Sequence, residues 1–375
     1  GGGHCMSKLE CDKRITGPRG SSKYWPTSLQ SSEVEYLDVD CNRNPVFCKG
    51  AAVFIGYCTG DTHRGTVTEP SEYSWGYYFD GHLNFKIVIE QLIDNHGLAN
   101  ADHILLTGDS AGGIGAYFNV DWLASRLPQA SVKAVSIAGW YYPGALASDL
   151  PPIYRPSDYP HLAAGTRGNN LYDMIQALDP GVVPFDLWQM KPILPQDCLA
   201  DYPDTQWFAC HSLNSAYKYI QSPLFTIHHQ YDKNQIQTQN LAPKVPVNET
   251  EKIMLAQYIE MYGQATRASL QSIINQNEMS VFDKPHPDGV FAASCFMHET
   301  SVSVVIEGQS YSPIVIDWFF QNGELDQYHK LIESCPQEDS ENLQLPCNDY
   351  HPCQVDFMTT SSSDPHPLTK LQFDA

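Results

Sequence analysis

Residues 108–113 read Gly-Asp-Ser-Ala-Gly-Gly, so that Ser110 sits in a Gly-x-Ser-x-Gly pattern. A serine between glycines gains chemical meaning when the chain turns there from a strand into a helix, because the turn thrusts the hydroxyl forward at the strand's end. The apolar run at 103–106 supplies the strand, and 113–127 reads as the helix. Glycines on both sides are expected because side chains there would collide with a strained turn that lifts the hydroxyl into solvent. A hydroxyl is not nucleophilic at neutral pH. An imidazole must take its proton, and a carboxylate must fix the imidazole's tautomer and stabilise its cation.

Both partners are found further along the chain. The strand-like run 223–229 leads into Gln230-Tyr231-Asp232, which places Asp232 just past a strand's carboxyl end, where open α/β sheets carry their functional residues. A second short strand at 289–295 is followed by His298. Fourteen histidines are present, so the order Ser110, Asp232, His298 and the placement of each at a strand end single this one out. The chain starts Gly1-Gly2-Gly3-His4-Cys5. Backbone N–H groups converge on a developing oxyanion only where side chains do not block the approach, so Gly2 and Gly3 are candidate oxyanion donors. The amide after the nucleophile, Ala111, is the third. The pair His228-His229 could ligate a metal, but no third ligand has suitable spacing, and neither metal nor cofactor is expected.

These segments together resemble the pectin acetylesterase and Notum carboxylesterase family. The resemblance is carried by the glycine loop GGGHC at 1–5, Tyr57-Cys58, the GDSAGG turn with its helix running to Asn119-Val120-Asp121, and Gly139-Trp140. It continues through 231–236 (YDKNQI), 294–298 (SCFMH), the Asp-Trp-Phe-Phe segment at 317–320 and the cysteines from Cys335, covering roughly 1–353. It implies an α/β-hydrolase fold: a mostly parallel central sheet flanked by helices, with a lid-like insertion and several disulfides. It also implies Ser110, Asp232 and His298 as triad, and Gly2, Gly3 and Ala111 as oxyanion donors. The implied activity is that of a serine carboxylesterase removing acetyl esters from cell-wall polysaccharide, with removal of a fatty acyl group from a protein as the alternative. A secreted, catalytically inert binding protein on the same scaffold is disfavoured by the intact Ser-Asp-His set. The chain departs from the family at His4, where the plant esterases have Trp, and at Ile137, where Asp is common. His4, Trp140 and Tyr141 are candidate pocket residues. His4, polar and shorter than Trp, is expected to open and wet the entrance.

Composition fits a secreted hydrolase. A chain of 375 residues, 42% of them apolar, can bury one large core. Eleven cysteines suit an oxidising compartment, extracellular or cell wall. Their spacing suggests Cys5–Cys11, Cys41–Cys48, Cys198–Cys210, Cys347–Cys353 and Cys295–Cys335, which leaves Cys58. In the family that cysteine pairs with one upstream of the glycine loop, so the odd count leads to the expectation that the chain lacks its natural N-terminus. A net charge of −21 repels nucleic acid and gives no help in capturing a polyanion. No membrane span is expected, because no apolar run reaches the required length. Asn248-Glu249-Thr250 is a glycosylation sequon in a polar stretch that also holds Pro243 and Pro246. The protein is expected to act as a monomer on esterified polysaccharide or acylated protein.

The elements that must position these residues alternate between strand and helix. Residues 51–58 (AAVFIGYC) read as a buried strand, and 132–138 as the strand after the nucleophile helix. Residues 80–96 form a helix with Leu83, Ile87, Ile89, Leu92 and Ile93 inward, closed by Gly97. Residues 251–274 make a long helix with Ile253, Ala256, Tyr258 and Tyr262 inward, and 313–320 open the last helix. Residues 141–222 break the alternation and are expected to form a lid or cap within one domain spanning 1–353. The Ser/Thr/Pro-rich end, 354–375, reads as disordered.

Overall fold

The computed structural model describes residues 2–28, 38–42, 44–141, 187–202, 207–238, 248–276, 288–321, 329–335 and 346–354. Five parallel strands form the central sheet in the order β1-β2-β3-β4-β7. These are β1 (His103–Asp109), β2 (Ser131–Ile137), β3 (Leu224–Ile227), β4 (Gly289–Ala292) and β7 (Lys330–Ile332). Two two-residue strands, β5 (Val305–Ile306) and β6 (Gln309–Ser310), pair antiparallel beside it.

Because side chains alternate along a strand, the sheet builds two cores. Val132 and Ala134 of β2, Leu224 of β3 and Val290 and Ala292 of β4 face one cluster. Val135, Phe225, Ile227 and Phe291 face the other. Covering both faces is the normal requirement of a parallel sheet. Helices α2 (Gly81–His96) and α3 (Ala111–Arg126) pack on the first face. The second is closed by a late helix, Tyr311–Phe320, through Ile314, Val315, Trp318 and Phe319. Helix α1 (Lys8–Arg14) belongs to a third, smaller cluster with Cys5, Phe79 and Trp188. The remaining helices used below are α4 (Lys233–Thr238), α5 (Glu249–Gln276) and that closing helix, α6. Gly97 closes α2 in the left-handed conformation at φ 76°, as expected of a helix-ending glycine.

Several expectations are corrected. Residues 51–58 form no strand: Val53 and Phe54 are 46% and 56% exposed. A run of apolar residues becomes a strand only where a neighbour supplies ladder hydrogen bonds, and β1, the sheet's edge, pairs only with β2 among the described residues. Ile87 is 61% exposed, and Phe85 takes the inward position on α2. On α5, Ile253 and Ala256 face outward, while Leu255, Tyr258, Ile259 and Tyr262 are buried. Three disulfides form as expected, Cys5–Cys11, Cys41–Cys48 and Cys198–Cys210. The other two exchange partners, giving Cys295–Cys353 and Cys335–Cys347. Nearness in sequence did not decide these pairings: Cys353 donates its N–H to Tyr350 O, and its own carbonyl accepts from the N–H of Phe296, next to Cys295. Cys58 is a free thiol. Of the segment 141–222, residues 142–186 lie outside the described residues. Residues 203–206 also lie outside them, and of the described part Leu194, Cys198, Leu213, Tyr217 and Ile220 lie in the main core. The tail from 355 onward also lies outside the described residues.

Candidate active site

The sheet's parallel register lines up its carboxyl ends: Asp109 pairs with Ile137, Ile137 with Ile227 and Ile227 with Phe291. Ser110 follows β1 directly, and Asp232 and His298 follow β3 and β4 after five and six residues. The three meet at this edge. His298 Nε2 lies 2.8 Å from Ser110 Oγ, and His298 Nδ1 lies 2.8 Å from Asp232 Oδ2.

Ser110 takes φ 55°, ψ −116°, a conformation costly for a residue with a side chain. Its amide donates to Ile137 O at 2.8 Å, which pins the turn to the neighbouring strand. Gly108 is demanded by this geometry, since a Cβ there would fall 2.3 Å from the Gly112 backbone. The pattern's second glycine is not demanded in the same way: a Cβ on Gly112 meets nothing within 4 Å. Gly113 is the crowded one, 2.7 Å from Ile137 O and Ser136 Oγ, where α3 presses on β2. The hydroxyl is also not in open solvent, as Ser110 is only 5% exposed.

Asp232 is fully buried and precedes α4. Its Oδ1 accepts from Gln235 N–H at 2.8 Å while Oδ2 faces His298. This is an N-cap arrangement, and the Asp-x-x-Gln spacing is a capping-box signature that the sequence already held. Burial raises the Asp232 pKa, but the charge and hydrogen bond of His298, the neighbouring His228 and the Gln235 amide outweigh it, and the net shift is downward. Burial likewise disfavours protonated His298, yet Asp232, with Asp109 and Glu299 adding charge, raises its pKa above 6.5. Asp232 therefore stays ionised and His298 can take and hold a proton. His228 and His229 are buried, and burial pushes each down to about 4, so both are neutral.

Tyr141 extends its hydroxyl to Ser110, donates to Asn234 Oδ1 at 3.2 Å and stands edge-on to His298 with ring centroids 6.5 Å apart. It thus stands beside Ser110 and His298. Trp140, the other aromatic candidate for the pocket, is 0% exposed, packs against Tyr117 and Tyr217 and donates Nε1–H to Ser269 Oγ. Trp140 is a core residue, because Gly139 and Tyr141 turn the chain so that adjacent side chains point to opposite sides. His4 is half-buried, edge-on to Trp188 at 5.8 Å, so its ring packs on the small third core.

Ala111 opens α3, so its N–H has no partner within the helix and lies at the positive end of the helix dipole. Gly2 and Gly3 lie in a loop whose Gly3 has φ 61°, and Gly1 is outside the described residues. Two features of this loop, Arg14 bonded to Gly2 O and Tyr57 bonded to Gly3 O, were not assigned a role from sequence. Asn248 is exposed and its Oδ1 accepts from Glu251 N–H at the start of α5. No helix among the described residues is long and apolar enough to cross a membrane.

Comparison with known proteins adds four findings. A family model described as pectinacetylesterase matches residues 1–149 and 171–348. Palmitoleoyl-protein carboxylesterase notum1 of Xenopus laevis is 25% identical over 374 residues, spanning 96% of this chain and 68% of that protein. Pectin acetylesterase 5 of Arabidopsis thaliana is 26% identical over 365 residues, 93% of this chain and 74% of the relative. The structure of the Wnt deacylase Notum from Drosophila superposes with a TM-score of 0.64 at 27% identity, covering 85% of this chain and 81% of that one.

Proposed function

Because this chain belongs to the pectinacetylesterase family and is on that ground a carboxylic ester hydrolase, we propose that it is a serine carboxylesterase acting on acetyl esters of cell-wall polysaccharide. The observation that carries the reading is the pair of 2.8 Å contacts joining Ser110, His298 and Asp232. Ser110 Oγ attacks the ester carbonyl as His298 Nε2 takes its proton, and Asp232 holds the imidazolium by Nδ1–H. The carbonyl oxygen becomes an oxyanion facing the amides of Ala111 and the Gly2–Gly3 loop. On collapse, His298 returns the proton to the leaving alcohol. A water then repeats the sequence on the acyl-enzyme, releasing the acid and restoring Ser110.

The acetyl preference is supported by the loop's makeup. Gly3 is exposed with open space where a side chain would stand, Gly112 opens onto free space beside Ser110, and His4 is polar. None of these offers an apolar wall to a long chain. The second reading, removal of a fatty acyl group from a protein, is favoured by the relatives whose names say palmitoleoyl-protein carboxylesterase. Five disulfides support a secreted, oxidising location.

One experiment separates the readings. Each buried methylene stabilises binding by about 0.8 kcal/mol, so an enzyme with an apolar acyl tunnel gains steeply with chain length. For this protein kcat/KM toward p-nitrophenyl esters is expected to fall or stay flat from acetate to octanoate, and to vanish in Ser110→Ala. A rise of about a hundredfold or more along the series would promote the deacylase instead.

A further inference from the structure

The glycine loop is held by its carbonyl oxygens. Arg14, the last residue of α1, donates from Nη1 to Gly2 O at 2.6 Å, and its guanidinium lies over the Tyr57 ring, 5.1 Å from the centroid. Tyr57 donates its hydroxyl to Gly3 O at 2.8 Å and accepts from Thr62 N–H at 2.7 Å. Cys5 closes the loop by donating its N–H to Gly60 O at 2.9 Å and by its disulfide to Cys11 in α1. The segment that meets the loop is itself strained, since Thr62 and His63 both have φ 57°. Asp61 holds it there, accepting from His63 N–H and Gly81 N–H.

A trans peptide points its N–H opposite to the C=O of the same unit. Arg14 on the Gly2 carbonyl therefore sets the direction of the Gly3 N–H, and Tyr57 on the Gly3 carbonyl sets that of the next amide. Gly3 N–H has no acceptor among the described residues, so the clamp orients a donor and leaves it unused. Gly3 can adopt its positive φ without a Cβ penalty. The arrangement has a cost. Arg14 Nε and Nη2 are buried with no hydrogen-bond partner, and burial pulls the guanidinium's pKa down. A half-satisfied buried guanidinium is a poor stabiliser. The Tyr57 ring also lies 4.6 Å from that of His63, whose carbonyl accepts from Asn119 of α3 at 2.9 Å, which ties the clamp to the helix that Ser110 precedes.

We propose that Arg14 and Tyr57 are positioning residues of the oxyanion site, fixing the two peptides that flank Gly3 so that Gly3 N–H is aimed before substrate arrives. The inference rests on Ser110 being the nucleophile. Removing either contact leaves the substrate's path open but lets the peptide rotate, so the donor must be ordered at the moment of reaction and transition-state stabilisation falls.

The test measures Tyr57→Phe, Arg14→Met and Arg14→Lys with p-nitrophenyl acetate, with thermal melting, and with trifluoroacetophenone, a ketone that adds to a nucleophilic serine as a tetrahedral oxyanion. Tyr57→Phe and Arg14→Met are expected to lower kcat by about ten- to hundredfold with KM within about threefold. The ketone's Ki should rise by the same factor as kcat/KM falls, and Arg14→Lys should recover part of the loss. Wild-type kcat in both Tyr57→Phe and Arg14→Met would overturn the clamp, as would a fall in kcat with an unchanged ketone Ki. Should Tyr57→Phe fail to fold, the Arg14→Met and Arg14→Lys pair decides by the same criteria. If Ser110→Ala keeps wild-type activity, the nucleophile assignment fails, an outcome distinct from failure of the clamp.

Discussion

The proposed catalytic edge of this protein is built in two different ways. On one side, Asp232 and His298 leave adjacent parallel strands whose ends are held in register, and His228 N–H and Gln230 N–H continue the ladder to Phe291 O and Ala293 O. On the other, the Gly2–Gly3 loop belongs to no strand. It is held by α1, a disulfide, a guanidinium and a tyrosine hydroxyl drawn from residues 5–62. The difference teaches where geometry is stored. A sheet fixes a residue through many repeated backbone bonds, so no single side chain matters greatly. A loop fixes a residue through a few unlike contacts, so each matters.

The largest effect should come from the sheet-borne side, where a single group carries the chemistry. Asp232→Asn removes the carboxylate that sets the His298 tautomer, while Oδ1 can still accept from Gln235 N–H. A loss of about ten-thousandfold in kcat with little change in melting temperature is expected in steady-state and melting assays. A loss under tenfold would mean that another carboxylate, such as Asp109, orients His298.

The disulfides test the contrast next. Cys295–Cys353 spans 58 residues and Cys5–Cys11 spans 6. By loop-closure entropy the first should contribute about 4 kcal/mol and the second about 2 kcal/mol. Replacing Cys295 and Cys353 with Ser should therefore cost more stability in denaturant titration. Replacing Cys5 and Cys11 should cost less stability but lower kcat about tenfold. If both pairs cost activity and stability in equal proportion, the division between the two regions is wrong.

The smallest effect concerns pH. His298 must be neutral to take the Ser110 proton, and its pKa is raised above 6.5 by Asp232, Asp109 and Glu299 against the opposing effect of burial. The acid limb of kcat/KM should accordingly lie above 6.5, with activity rising as pH increases through it. Asp109→Asn removes one negative neighbour, so the limb should move to lower pH and relative activity at acidic pH should increase. A limb that moves upward, or does not move, would show that Asp109 is screened from the imidazole.

Much of the site was legible before the fold was known. The Gly-Asp-Ser-Ala-Gly turn between an apolar run and a helical segment, and the placement of Asp232 and His298 after short strands, predict positions that the sheet register brings together, with Ser110 and Asp232 each 2.8 Å from the His298 imidazole. Local pattern sufficed because each residue's location follows from the strand beside it. Residues 51–58 show the limit: their apolar run satisfies the pattern of a buried strand, but a ladder partner is not written in the run. Trp140 shows it again, since adjacency to Tyr141 places it near the site in sequence while the turn at Gly139 sends it into the core. The partner exchange among Cys295, Cys335, Cys347 and Cys353 has the same origin, because spacing ranks short loops first and packing does not.

The sequence by itself determined the reaction class, the order of the chemical groups and the alternation of strands and helices, because these depend on residue type and short-range periodicity. The tertiary structure alone decided which glycines are required, with Gly108 and Gly113 crowded and Gly112 free. It alone decided that Asp232 both caps α4 and faces His298. It also brought Arg14 and Tyr57, 43 positions apart in the chain, to the carbonyls of neighbouring glycines. Such contacts join segments distant in sequence, and nothing in either segment specifies the other until both are packed against a shared core.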